Sequence, residues 1–192
     1  VNLGVKFNKK KVFNYLEIKN IFPSIPIQKK ILFYPIIIDE NTKDLYLFSN
    51  NNFFLEWNLN KESYHLLEYI LPTEDLEDLN LIKIKYENIE KYDFKEITEK
   101  YNLEDSIVAL IFKNQNDIRI LSRITIKDNV VLKNQTFPKI DLKKENQIGF
   151  VIDELKLIYE DFWKKNNQIN TSIKLPINIR INTNDNNKIS KF

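Results

Sequence analysis

Three arginines are the residues of this chain best suited to bind an anion. Arg119, Arg123 and Arg180 are its only arginines, and lysine is otherwise its cation. Each falls on the polar face of a predicted strand. A guanidinium presents several N–H donors in a planar array that fits a carboxylate or a phosphate. If these strands are neighbours, the sequence predicts an anion-binding or partner-binding patch. The alternative is a set of ordinary cross-strand charge pairs on a solvated sheet face.

A run of carboxylates at the start of a predicted helix is a second candidate. Its members are Glu74, Asp75, Glu77 and Asp78. Hard cations such as Ca²⁺ prefer several carboxylate oxygens, and two carboxylates about 5–10 Å apart across a groove could serve as the acid/base pair of a hydrolase. All four come from one short stretch, which lacks the loop of a calcium site. The favoured interpretation is acidic charge at the positive end of a helix.

The sequence lacks the residues on which most common catalytic and cofactor sites depend. It has one histidine, no cysteine and two glycines. A zinc site usually draws on several His or Cys ligands, and a serine triad would have to use His65. Gly4 and Gly149 lie too far apart to form a glycine-rich phosphate loop. The sequence therefore predicts no catalytic residue, no metal and no cofactor, and we interpret His65 as structural.

Residues 51–57 are dense in aromatic side chains and follow a predicted hairpin. If exposed, this stretch would form a recognition patch, and if buried, it would close the core. Because aromatic side chains dominate the energetics of cores, we predict that Trp57 is buried and structural.

Composition and charge narrow the range of partners. The chain has 192 residues, of which 43% are hydrophobic and 12% aromatic, and its net charge is +2. Residues 9–11 are lysines beside Phe13 and Tyr15, a mixture found in nucleic-acid binders, but the near-neutral charge argues against nucleic acid. No apolar run approaches the ~20 residues of a membrane span. We expect neither nucleic acid nor a membrane span.

The hydrophobic pattern predicts an α+β fold. Strands are predicted at residues 1–7, 31–38, 45–48, 107–112, 118–126, 130–132 and 173–181. Helices are predicted after Asn8, at 60–71, after Thr73, at 94–101 and at 145–166. Pro35 lacks an N–H, so it must lie at a bulge or an edge of its strand. Residues 107–112 are continuously apolar, which is typical of a central strand, and 133–144 are predicted to be a long loop.

These elements predict a mixed, largely antiparallel sheet with helices packed on it, including one long helix in the C-terminal half. Along that helix one apolar stripe consists of Ile148, Ile152, Leu155, Tyr159, Phe162 and Trp163. The pairs Glu160–Lys164 and Asp161–Lys165 are assigned to its solvated side. We expect one domain over residues 1–182. Residues 183–192 are expected to be a polar tail that begins a further, truncated segment.

Several of these motifs, in this order, resemble a family of uncharacterised proteobacterial envelope proteins known as a conserved domain of unknown function. They are Leu3-x-Val5-x-Phe7-Asn8, the strand 31–38, Asn51-x-Phe53-x-x-x-Trp57, Leu71-Pro72-x-x-Asp75-x-Glu77-Asp78 and the late helix ending in Trp163. This chain has Asn52 where the family usually has Pro, and Phe53 where Trp is common. The resemblance spans most of the chain.

The resemblance implies a periplasmic protein of Gram-negative bacteria, and the family supplies no activity. The abundance of Ile, Lys and Asn indicates an AT-rich genome, similar to that of marine alphaproteobacteria. Because the chain opens at Val1 and has no methionine, we expect a processed or excised fragment.

The leading hypothesis is a non-enzymatic envelope module that binds a protein or a cell-wall component. One alternative is an anion-binding or nucleotide-binding domain that uses the arginine-bearing sheet face. A less favoured alternative is a hydrolase that uses the carboxylates of the acidic run.

Overall fold

The computed structural model describes residues 8, 11, 12, 15, 29–60, 66–115 and 117–166, except for the side chain of Lys164. Its strands are β1 (Lys29–Asp39), β2 (Leu45–Tyr46), β3 (Leu67–Ile70), β4 (Ser106–Lys113), β5 (Asp117–Ile126) and β6 (Asn129–Pro138). Its α-helices are α1 (Asn52–Leu59), α2 (Leu76–Ile84), α3 (Lys95–Thr98) and α4 (Glu145–Asn166). Short 3-10 helices cover Phe48–Asn50, Tyr86–Asn88 and Glu99–Tyr101.

The six strands form one mixed sheet in the order β2-β1-β4-β5-β6, and β3 also pairs with β1. β1 is parallel to β3 and β4, whereas the other neighbouring pairs are antiparallel. The predicted α+β class, with its largely antiparallel sheet and long C-terminal-half helix, is confirmed.

The two apolar strands β1 and β4 lie side by side at the centre and are buried on both faces. On one face they pack with α1 and α4, in a core that includes Trp57, Ile152 and Leu155. On the other face they pack with α2 and the segment 86–101, in a core that includes Ile82 and Phe94. The molecule thus has three layers, and the uninterrupted apolar runs of β1 and β4 follow from burial on both sides.

Pro35 lies in a gap between the two short strands that pair with β1. β3 pairs with residues 29–32 of β1, and β2 pairs with residues 37 and 38. The Pro35 carbonyl accepts a hydrogen bond from the side-chain amide of Asn51 (3.1 Å). A proline is tolerated here because no described strand requires an N–H at this position.

α4 has the bounds that its periodicity predicts. Four members of its apolar stripe are buried, and the last two, Phe162 and Trp163, are partly buried against the same core. Glu160, however, is buried instead of solvated, so the assignment of Glu160 to the outer side is wrong. The backbone N–H of Leu66, the residue before β3, donates to the Glu160 carboxylate (2.9 Å). The start of β3 therefore lies against this side of α4.

Four other expectations are corrected by the structure. Residues 67–70, predicted as helix, form β3, because parallel pairing with β1 outweighs their helical spacing. The predicted strand 45–48 ends at Tyr46, and Phe48–Asn50 is a 3-10 helix. β6 extends to Pro138, so half of the predicted loop 133–144 is strand. The N-cap of α2 is Asp75 instead of Thr73.

Several predictions fall outside the described residues. These are the strands 1–7 and 173–181, the tail 183–192, and the positions of His65 and Arg180. Near the N-terminus, the backbone N–H of Lys11 donates to Oδ1 of Asn8 (3.1 Å), which is the capping contact expected of Asn8.

Candidate partner-binding face

Strand β5 carries the two described arginines on the face opposite to α4. The alternation of its sequence turns Ile118, Ile120, Ile124 and Ile126 into the core beneath α4. Arg119 and Arg123 therefore lie on the other face, because successive strand residues point to opposite sides. In the antiparallel register with β6, Arg119 is opposite Thr136 and Arg123 is opposite Leu132.

Arg119 forms an ion pair and packs against an aromatic ring. Its Nη2 donates to Oε1 of Glu90 at 2.6 Å, and its guanidinium lies 4.0 Å from the centre of the Phe112 ring. The carboxylate comes from the segment between α2 and α3, so this pair joins the sheet to the layer that covers it. Arg119 is thus paired within the fold, and its partner belongs to a covering segment instead of a neighbouring strand.

Arg123 makes fewer contacts than Arg119 with the described part of the chain. Its Nη2 donates to the backbone carbonyl of Glu90 at 3.3 Å, and it forms no ion pair with any residue in the described part of the chain. A guanidinium has five N–H donors. Most N–H donors of Arg123 are therefore available to a ligand. Because this side chain is half-buried, its donors can point in only a limited range of directions.

A groove of about 210 Å³ opens beside Arg123, between β5, β6 and the segment that contains α3. Arg123 and Lys95 contribute cations to its lining, and Thr98, Ser106 and Thr125 contribute hydroxyl groups. Four carboxylates line it as well, those of Asp93, Glu99, Glu104 and Asp128, so acidic side chains outnumber cations there. One of them, Glu104, is paired with Lys29 (2.6 Å). The donors that the groove offers to an anion are therefore those of Arg123, Lys95 and the hydroxyl groups, and they lie beside acidic side chains.

Two exposed aliphatic side chains continue this face onto β6. Val130 is 46% exposed and Leu132 is 51% exposed. Residues 117–139 contain five Lys or Arg and two Asp, but Arg119 is paired with Glu90 and Lys133 lies on the face covered by α4. We call Arg123, the groove, Val130 and Leu132 the β5–β6 face. It combines the guanidinium of Arg123 with exposed apolar surface.

The acidic run has a structural role at the start of α2. Asp75 caps the helix and accepts from the backbone N–H of Glu77 (2.8 Å), while Lys100 Nζ lies 3.0 Å from Asp75 and 2.6 Å from Asp78. Asp78 is fully buried and also accepts from the Tyr34 hydroxyl (3.2 Å). The hydrogen bond from Lys100 holds the pKa of Asp75 below its usual range. In the described ranges no three His, Cys, Asp or Glu side chains are grouped as metal ligands.

The aromatic stretch is buried, as predicted. Trp57 is 2% exposed and stacks on Phe33, with ring centres 3.7 Å apart. The ring of Tyr69 meets Trp57 edge-on at 5.2 Å. This stretch therefore closes the core beneath α1 and does not form a recognition patch.

Sequence reasoning missed a buried polar pair on α4. Lys156 is 3% exposed, donates from Nζ to the carbonyl of Asn60 (2.7 Å) and lies 5.4 Å from the Trp57 ring. Burial lowers the pKa of Lys156. One turn further, Glu160 binds the Leu66 N–H. Helical periodicity could not reveal this pair, because its partners are backbone groups distant in sequence.

Comparison of the chain with protein-family models, with curated proteins and with solved structures finds no match. None of the helices in the described part of the chain has the length and apolar character needed to cross a bilayer. The β5–β6 face must therefore be interpreted from its own chemistry.

Proposed function

We propose that this chain is a non-enzymatic binding module of the bacterial envelope, whose β5–β6 face binds an acidic partner. The partner is a protein segment or an acidic cell-wall component. The observation that carries this proposal is Arg123. Its guanidinium is held at a groove by a single bond to a backbone carbonyl and has no carboxylate partner among the described residues.

The chemistry of the face supports binding in preference to catalysis. The donors at the groove suit carboxylate recognition, and exposed Val130 and Leu132 supply apolar contact beside it. The carboxylates offered for a hydrolase, Asp75 and Asp78, belong to one turn of α2 and share Lys100. They do not face each other across a cleft, as acid and base of a glycosidase do.

The envelope location is part of the proposal and is supported by the motif resemblance. Both candidate partners are acidic, because peptide stems of the cell wall and acidic protein segments both present carboxylates. The alternative of a small-anion or nucleotide site would use the same Arg123, so phosphate is included in the test.

The test is a titration of the ¹⁵N-labelled 192-residue chain with acetyl-hexaglutamate amide, with a soluble cell-wall stem peptide and with inorganic phosphate. We expect the carboxylate probes to shift backbone resonances along β5 and β6, and Arg123→Gln to weaken their binding by about tenfold. Lys144→Gln is the matched control, because it removes the same charge from an exposed position outside this face.

Two results would contradict the proposal. One is that no carboxylate probe shifts the β5–β6 resonances at about 1 mM, a concentration that half-saturates a site with a Kd of about 1 mM. The other is that Arg123→Gln and Lys144→Gln weaken binding equally, since that would show general charge attraction. Binding of phosphate alone would replace the proposal with the small-anion alternative.

A further inference from the structure

The groove beside Arg123 contains charged side chains of both signs that have no ion-pair partner. Among the described residues, only one ion pair involves its lining, the pair of Glu104 with Lys29. The charged lining residues that form none are the cations Arg123 and Lys95 and the carboxylates Asp93, Glu99 and Asp128. A purely anionic ligand would lie beside these carboxylates, and like charges brought together in a binding site are unfavourable. A ligand that fits the groove therefore carries positive as well as negative charge.

The outer wall of the groove comes from the segment that contains α3. Near its start, Asp93 and Lys95 have opposite charges two residues apart, so their charges largely offset each other. Glu99, after the end of α3, is then the carboxylate of this wall whose charge is not balanced nearby in the sequence. The wall thus adds negative charge to the groove and little net positive charge.

The remaining cation and the remaining carboxylate of the sheet side are well separated. Arg123 is held near the covering segment by its bond to the Glu90 carbonyl (3.3 Å). Asp128 lies in the turn that follows β5. The last residue of β5, Ile126, is three residues from Arg123, which is about 10 Å along an extended strand. The groove is therefore cationic at the Arg123 end and acidic at the end near the turn.

A buried hydroxyl group lines the groove between these ends. Ser106 is 8% exposed, and its hydroxyl forms no hydrogen bond with any residue in the described ranges. It lies opposite Thr125 in the pairing of β4 with β5, so its side chain is on the same face as that of Arg123. Buried hydroxyl groups are nearly always hydrogen-bonded. Because a hydroxyl both donates and accepts, Ser106 suits a peptide group of a bound ligand.

The size and the apolar edge of the groove also suit a short peptide. A volume of about 210 Å³ is below that of a pocket for a drug-sized molecule, so the groove holds a short stretch of chain. Three extended residues span about 10 Å, which matches the separation of its two ends. Val130 lines the groove and is 46% exposed, so it offers contact to an aliphatic part of the ligand.

We propose that this groove binds a short peptide that carries both a carboxylate and an ammonium group. The carboxylate pairs with Arg123, the ammonium group pairs with Asp128 and Glu99, and a peptide group between them bonds to Ser106. This inference rests on the proposed function and specifies its ligand, because it requires a positive charge on the partner beside the negative one.

The probes are three peptides that differ only in their charged groups. Acetyl-Glu-Ala-Lys-amide carries both charges, its side-chain-acetylated form carries only the carboxylate, and acetyl-Gln-Ala-Lys-amide carries only the ammonium group. Each is also used in the reverse order, because either chain direction places the two charges at the two ends. The full ¹⁵N-labelled chain is titrated with each, and the Arg123 side-chain N–H signal is followed. We expect the doubly charged peptide to bind at least about tenfold more tightly than either control.

The two sources of such a peptide are compared in the same way. A soluble cell-wall stem peptide with a free side-chain amine is titrated beside its amine-acetylated form. The source that shows the larger preference for the free amine, protein segment or cell wall, is the class of partner that the groove selects.

Charge-specific variants test which end of the groove binds which group. Asp128→Asn should weaken binding of the doubly charged peptide by about tenfold and alter binding of the carboxylate-only peptide by less than about twofold. Asparagine tolerates the positive φ of 65° at this position, so the turn is retained. Arg123→Gln should weaken both of these peptides. Asp153→Asn, at an exposed position of α4, is the matched control and should alter binding by less than about twofold.

The outcomes separate this inference from the proposed function. If the carboxylate-only peptide or acetyl-hexaglutamate amide binds as tightly as the doubly charged peptide, ammonium recognition is overturned and acidic-partner binding stands. Equal effects of Asp128→Asn and Asp153→Asn would also overturn the inference alone. If the ammonium-only peptide binds as tightly as the doubly charged one and Arg123→Gln has no effect, both proposals fail. Both fail as well if no peptide binds at about 10 mM.

Discussion

The side-chain amide of Asn51 donates to the carbonyl of Pro35 at 3.1 Å, in the gap where β1 has neither β2 nor β3 beside it. The same amide nitrogen lies 3.2 Å from the carbonyl of Tyr46, and Oδ1 accepts from the N–H of Phe54 (3.0 Å). One fully buried side chain therefore replaces a missing strand, joins β2 to β1 and caps α1.

Asn51→Ala should lower the free energy of unfolding by about 2–4 kcal/mol. It removes an N-cap and leaves buried carbonyls without their donor. Urea denaturation measures the loss. Asn50→Ala, at the exposed neighbouring position, is the control and should change stability by less than about 0.5 kcal/mol. Equal effects of the two variants would show that the Asn51 contacts do not contribute.

Trp57→Ala should lower the free energy of unfolding by about 3–5 kcal/mol, the usual range for a buried aromatic residue. The indole stacks on Phe33 and fills the space beneath α1, so its removal leaves a cavity. Denaturant midpoints measure the effect. Leu55→Ala, on the exposed side of the same helix, should cost less than about 1 kcal/mol. If the Trp57 variant kept wild-type stability, the assignment of Trp57 to the core would be wrong.

The two arginines of β5 should differ in their contribution to stability. Arg119→Ala loses an ion pair with Glu90 and a contact with the Phe112 ring, and should cost about 1 kcal/mol. Arg123→Ala should change stability by less than about 0.5 kcal/mol, because it loses one long bond to a carbonyl. A double-mutant cycle between Arg119 and Glu90 checks the pair. Equal losses at the two arginines would contradict this division of roles.

The ionised carboxylate of Asp39 should make the stability of the protein vary with pH in the acidic range. Its carboxylate accepts from Lys113 Nζ (2.8 Å), and this bond, with those from the Asn41 and Thr42 N–H groups, holds the pKa of Asp39 below its usual range. Because the folded pKa lies below the unfolded value of about 3.9, the contribution is complete above that pH. It is lost as the pH falls through the folded pKa.

The measurement is the urea midpoint of the wild type and of Asp39→Asn between neutral pH and about pH 2.5. The difference between the two proteins should be largest near neutral pH and should shrink below about pH 4. Asp44→Asn, at an exposed position in the same turn, is the control for removal of a carboxylate that does not contact Lys113. A difference that stayed constant with pH would contradict the role of the charged carboxylate.

Local periodicity predicted those parts of the fold in which residues at a regular spacing share one environment, either the core or the polar face. The alternation of β5 placed Ile120 in the core and Arg119 and Arg123 on the other face, and the apolar run of β4 indicated its central position. The stripe along α4 predicted the helix and the side of it that packs on the core. These features depend on spacing along the chain, and spacing is visible in the sequence.

Periodicity gave wrong predictions where contact with a backbone segment distant in sequence determined the structure. Residues 67–70 have apolar spacing compatible with a helix, yet β1 supplies a parallel partner and they form β3. β6 continues past Leu132 through polar residues because β5 extends beside it and pairs with each of them. Glu160 has the pattern of a surface residue but binds the Leu66 N–H.

The sequence by itself determined that Arg119 and Arg123 share the polar face of one strand, because side chains alternate along a strand whatever surrounds it. Only the tertiary structure decided that they differ. Glu90, about thirty residues earlier in the chain, places its carboxylate on Arg119 and offers Arg123 only its carbonyl. Pairing between residues far apart in sequence depends on how layers pack, and that packing is a property of the whole fold.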